Sequence, residues 1–130
     1  MIKDQVLETK VFYVNRALLK QYADASGDQN PIHQDEAFAK SVGLPDVIAH
    51  GMLTMALVGK YVTDWAGGSS NVIHFGARFI KPVIVPADTD VDLTVTAVIS
   101  AAEDGLITLD LTATSAGVKV LGMAKAVVKK

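Results

Sequence analysis

Gly51-Met52-Leu53-Thr54-Met55-Ala56-Leu57-Val58-Gly59-Lys60-Tyr61-Val62-Thr63-Asp64-Trp65-Ala66 is the stretch on which the fold turns. Its composition is helical. Met52, Leu53, Met55, Ala56, Leu57, Val58, Tyr61, Val62 and Trp65 cover almost the whole circumference of a helix. A helix that is apolar nearly all round is expected to be buried, not laid on a surface. These 16 residues make a rod of roughly 24 Å, and something has to wrap it.

The second half of the chain supplies the wrapper. Ile73, Phe75, Ala77 and Phe79 alternate with His74, Gly76, Arg78 and Ile80. Val91, Leu93, Val95, Ala97 and Ile99 alternate with polar residues, as do Ile107, Leu109, Leu111 and Ala113. Each run reads as a half-buried strand with one face inward. Glu103-Asp104-Gly105 and Ala116-Gly117 read as hairpin turns, and a last strand is expected at about residues 118–128. Upstream, the pattern predicts a strand at about 6–13 and a helix at 16–25 capped by Asn15. A loop through Ser26-Gly27-Asp28-Gln29-Asn30-Pro31 follows, then a short helix at 35–42 ended by Gly43 and Pro45. The order implies an α+β domain, with a curved antiparallel sheet folded round one long central helix. The 130 residues, half of them apolar, suit a single domain over 1–130.

A net charge of −2 gives no basic field, so nucleic acid is not expected as a partner. No cysteine is present, which removes disulfides, thiolate metal sites and thiol nucleophiles. The N-terminus has no apolar signal core. The longest apolar region, residues 49–66, carries Lys60 and Asp64 and is too short to span a bilayer. A soluble cytoplasmic domain is the expectation.

Three places could carry chemistry. Asp28 and His33 lie five apart around Asn30-Pro31, and proline stiffens that loop. A carboxylate and an imidazole held over one small volume suit water activation. Equally, Asp28 could close an Asx-turn while His33 flanks the next helix. The second place is Ala49-His50-Gly51, where a buried helix leaves its first amides unpaired. The Gly51 amide and the helix dipole would stabilise a carbonyl oxygen gaining charge. His50 reads more simply as a satisfied core histidine. The third is Arg78, near Lys81, suited to phosphate or carboxylate though also explicable as a solvated strand charge; His74 reads as a surface strand residue. Three scattered histidines without HxH or HExxH spacing argue against a metal site.

Tyr22-Ala23-Asp24-Ala25-Ser26-Gly27-Asp28-Gln29-Asn30-Pro31-Ile32-His33 resembles the signature of the hydratase 2 group, the MaoC-like dehydratases with a hotdog fold. Ile48-Ala49-His50-Gly51-Met52-Leu53 resembles the start of that family's central helix, and Arg78-Phe79-Ile80-Lys81-Pro82-Val83 its usual strand ending. Residues 49–65 look closest to actinobacterial (3R)-hydroxyacyl-thioester dehydratase subunits. The resemblance implies a hydro-lyase of fatty acid metabolism that converts trans-2-enoyl thioesters reversibly to (R)-3-hydroxyacyl thioesters. It implies Asp28 and His33 holding the catalytic water, the Gly51 amide polarising the thioester carbonyl, and Asn30, His50, Arg78 and Lys81 on the substrate side. The serine that some members carry two turns into the central helix falls here at Gly59. No cofactor is implied beyond the substrate's own carrier, CoA or acyl carrier protein. A homodimer or a heterodimer with a paralogous hotdog subunit is implied. A hotdog acyl thioesterase and a non-catalytic subunit of a heteromeric dehydratase are the alternatives.

Overall fold

Side-chain caps start the first two helices. Asn15 is extended and accepts from the Leu18 amide, so α1 runs Arg16–Ser26 until Gly27 closes it at φ 81°. Asp35 accepts from the Phe38 amide and starts α2, Glu36–Ser41. The central helix α3 spans Gly51–Ala66, the bounds read from the sequence, and ends on left-handed Gly67. The structure, a computed structural model, describes residues 2–130.

Six strands follow the same economy: β1 Lys10–Val14, β2 Val72–Phe79, β3 Val91–Glu103, β4 Leu106–Ser115, β5 Val118–Lys119 and β6 Leu121–Lys129. They form one antiparallel sheet in the order β1-β3-β4-β6-β2, with β5 beside β4. Asp104 and Gly105 at φ 54° and 76°, then Ala116 and Gly117 at φ 50° and 75°, give the consecutive left-handed residues that tight hairpins need. Leu93, Val95, Ala97 and Ile99 of β3 and Ile107, Leu109, Leu111 and Ala113 of β4 turn inward. They share one core with Leu53, Val58, Tyr61 and Val62 of α3. The chain thus has the hotdog architecture, a curved antiparallel sheet around a long helix. No helix among the described residues is long and apolar enough to cross a membrane.

Four expectations are corrected. Helix α3 is not enclosed all round: Met52, Ala56, Lys60 and Asp64 form an exposed stripe, because a single sheet covers only the flank it curves around. The first strand begins at Lys10, not Val6. Val6 faces Val98 while Lys10 faces Val95, so four steps on one side oppose three on the other and the ladder breaks. The last strand is interrupted at Val120, and Met123 at φ 48° puts a further irregularity in β6. Strand β2 lies at a sheet edge and slips register twice, so its alternation does not become one buried face. Ile73 and Phe79 are 55% and 54% exposed.

One clamp positions the segment leading into α3. Arg16 of α1 donates through Nε to Val85 O, and through a terminal nitrogen to Asp46 at 2.8 Å and Glu36 of α2 at 3.3 Å. Around it the chain runs as an extended strap, with Ala49 N bonding Val83 O and Val85 N bonding Val47 O.

The inner face of the sheet is expected to carry the stability. Leu109→Ala, at a fully buried position, should cost about 2–5 kcal/mol in urea unfolding. Lys60→Ala on the open stripe should stay within about 0.5 kcal/mol. Equal losses would contradict the one-sided burial of α3.

Candidate active site

The loop between α1 and α2 is held by its own side chains. Ser26 Oγ accepts from the Asp28 amide, Asp28 Oδ1 from the Asn30 amide and Asn30 Oδ1 from the Ile32 amide, each at 3.2 Å. Pro31–His33 then forms a 3-10 turn where the sequence suggested only loop. These successive i to i+2 bonds are Asx and ST turns. Asp28 therefore does close an Asx-turn, and Asn30 holds the loop in shape.

His33, 6% exposed, sits with Nδ1 2.7 Å from Ile48 O. A carbonyl can only accept, so Nδ1 carries a hydrogen, and in the neutral ring the lone pair is then on Nε2. The Ile48 amide returns a bond to Ile32 O at 3.2 Å, zipping the turn to the strap.

His50 is 1% exposed and lies stacked on His33, with ring centroids 3.8 Å apart and planes 23° from parallel. Tyr22 meets it edge-on at 4.8 Å. Its Nε2 lies 3.1 Å from Asp28 O and so donates, which leaves Nδ1 as a bare acceptor. That Nδ1 is fully buried and unpartnered among the described residues. The sequence reading of a satisfied core histidine is thus half right. Burial pushes the His50 pKa down, with the nearby His33 helping. The bond to Asp28 O and the Asp28 charge oppose that shift.

Asp28, His33 and His50 bring donor atoms within 4.8 Å of one another. The histidines are therefore less scattered than their spacing suggested. Stacked imidazoles send their in-plane lone pairs side by side, not toward one point. The arrangement suits hydrogen bonding to a small molecule better than chelation.

At the start of α3, the Leu53 and Thr54 amides both bond His50 O, at 3.1 and 3.2 Å. No side chain caps the helix. The Gly51 and Met52 amides find no partner among the described residues. In front of Gly51 lies a cavity of about 330 Å³ whose walls include His33, Ile48, Thr54, Phe79, Ile80, Lys81, Val83, Val120 and Leu121. The Phe79 ring packs so closely that a Cβ added at Gly51 would come within 3.2–3.3 Å of it.

Of the residues singled out by sequence, His33, Gly51 and Lys81 line this cavity. Asp28 stands beside His33 and is exposed, while His50 is stacked on His33 and buried; neither Asp28 nor His50 borders the cavity. Arg78 and His74 are both exposed on β2, and neither borders the cavity. Arg78 and Lys81 enter no ion pair among the described residues. Gly59 faces the Phe75 ring, 3.3 Å from where its Cβ would lie. Sequence reasoning missed Thr54 and Phe79. The signal for Thr54 was its place three residues after Gly51, on the same helix face.

The family described as the MaoC like domain matches residues 1–116. The chain is similar to the 3-hydroxyacyl-thioester dehydratase X of Mycobacterium tuberculosis, 39% identical over 77 residues, which is 59% of this chain and 26% of that protein. A solved MaoC-like dehydratase superposes with a TM-score of 0.96 at 35% identity, over 99% of this chain and 40% of that one. An (R)-hydratase from A. caviae involved in PHA biosynthesis superposes at 0.83 with 26% identity, over 99% and 96%. The chain spans about a quarter of the length of that mycobacterial relative.

A pH dependence follows from His50. Its pKa in the folded chain lies below the ordinary histidine value of about 6.5. The unfolded chain therefore takes up the proton first as pH falls. Stability from this group is complete above about pH 6.5 and declines below it. The depressed carboxyls of Asp24, Asp64 and Asp92 act in a lower window, beneath the usual carboxylate value. Urea midpoints of His50→Gln should fall less steeply than wild type between about pH 5 and 6.5; parallel curves would refute this.

Proposed function

Because the chain belongs to the MaoC-like domain family, we propose that it adds water reversibly to the C2=C3 bond of trans-2-enoyl thioesters, giving (R)-3-hydroxyacyl thioesters. The observation that carries this reading is the pairing across one apolar cavity. His33, whose neutral ring offers a lone pair on Nε2, and Gly51, whose amide is uncapped, both line it. The names of similar proteins, a 3-hydroxyacyl-thioester dehydratase and an (R)-hydratase, point the same way.

In the proposed reaction a water lies between Asp28 and His33. His33 Nε2 takes one of its protons as the oxygen bonds to C3. The electrons of the double bond move toward the thioester oxygen, where the Gly51 N–H and the positive end of α3 receive the charge. The proton held by the dyad is returned to C2. Dehydration runs the same steps backward. Asn30 keeps the loop rigid, and His50 holds Asp28 by its main chain and His33 by its ring face.

The acyl chain would lie against Ile48, Val83 and Leu121. Its carrier, CoA or acyl carrier protein, would leave past Lys81 toward Arg78, two cations that form no ion pair among the described residues. A second hotdog domain, another copy or a paralogue, would pair along the β2 edge. Ile73, Phe79 and Ile80 are exposed there, and Met52 is exposed on α3. Within that assembly residues 1–130 would act as a single domain.

Hydration of a short trans-2-enoyl-CoA by the purified chain, with product chirality and oligomer mass, tests the reading. Asp28→Asn or His33→Ala should lower kcat by about 10²–10⁴-fold; either variant turning over at the wild-type rate would end the dyad assignment. Separately, Arg78→Ala combined with Lys81→Ala should raise KM with little change in kcat, the mark of lost uniform binding. An unchanged KM would remove the carrier contact.

A further inference from the structure

A threonine inside a helix usually disposes of its hydroxyl by bonding a carbonyl one turn back. Thr63 does so, with Oγ1 2.6 Å from Gly59 O. Thr54 does not. The carbonyl one turn before it, His50 O, already accepts from the Leu53 and Thr54 amides, so both its lone pairs are engaged. The Thr54 hydroxyl consequently makes no hydrogen bond to any described residue, although the residue is only 6% exposed.

The hydroxyl is not sealed in. Among the described residues the one fully buried side-chain polar atom without a partner is His50 Nδ1, so Thr54 Oγ1 keeps an open side. Thr54 is otherwise buried, and what it borders is the cavity it shares with His33 and Gly51. Gly51 and Thr54 are three residues apart and lie on one face of α3. A residue three positions on can present its side chain to the part of the cavity that the start of the helix faces.

We propose that Thr54 is a catalytic residue whose hydroxyl donates the second hydrogen bond to the thioester carbonyl oxygen, beside the Gly51 amide. The inference rests on the hydration reading above and deepens it. A single backbone N–H leaves half of a developing oxyanion unsolvated in an apolar cavity. A hydroxyl without a partner among the described residues supplies the rest without giving up a bond within the protein.

The test is a pair of near-isosteric variants in the 130-residue chain, assayed with a short trans-2-enoyl-CoA. Thr54→Val keeps the shape and removes only the hydroxyl. Its kcat should fall about 10²-fold, the lower end for loss of one oxyanion donor, with KM little changed. Its pH–rate profile should keep the wild-type shape, since the dyad is untouched. Thr54→Ser should remain close to wild type. A wild-type kcat for Thr54→Val, or Thr54→Ser as slow as Thr54→Val, overturns the proposal. If Asp28→Asn is slow while Thr54→Val is not, Thr54 alone is dismissed; a wild-type chain that hydrates nothing overturns both readings.

Discussion

The bond from His33 Nδ1 to Ile48 O is the constraint on which the site depends. It joins two segments separated by the whole of α2 and fixes at once where the imidazole lies and which nitrogen keeps its lone pair. The strap that carries Ile48 has little regular structure of its own. It borrows rigidity from three sides: the 3-10 turn through Ile32 O, residues 83–85 through two backbone bonds, and Arg16 through Asp46. Remove that support and the ring is free to turn.

Four polar groups without a partner among the described residues sit close together. The Gly51 and Met52 amides, the Thr54 hydroxyl and His50 Nδ1 fall within about one turn at the head of α3. Elsewhere helix starts are capped, as by Asn15 and Asp35. Two of them, the Gly51 amide and the Thr54 hydroxyl, belong to residues that line the cavity, so an oxygen arriving there would meet groups free of internal bonds. The same head of the helix would lose that property if an aspartate or serine capped it.

Much of the fold was legible because its signals are local. The bounds of α3 follow from an apolar run set between Gly51 and Gly67, and both tight hairpins from their turn residues. The Asp28 loop was legible too, though its two readings proved compatible in space. Asp28 Oδ1 closes an Asx-turn while the carboxylate stays beside the imidazoles. What failed was not local. The stacking of His33 on His50 links positions far apart in the chain, and no spacing rule announces it. The open stripe on α3 depends on how far a sheet can curve, not on the helix's composition. Irregularities such as Met123 at positive φ leave no residue signature, so β2 read as a cleaner strand than it is. Thr54 looked like one more residue on a buried rod until the saturation of His50 O explained its free hydroxyl.

Phe79 lies over Gly51 at the rim of the cavity, yet it belongs to an edge strand and is more than half exposed. A neighbour docked along that edge would decide how far the ring can swing. Admission of substrate would then obey mass action between subunits. Specific activity would change on dilution, before any unfolding, and a solitary subunit would differ from an assembled one in how its doorway is kept, with the chemistry itself left intact.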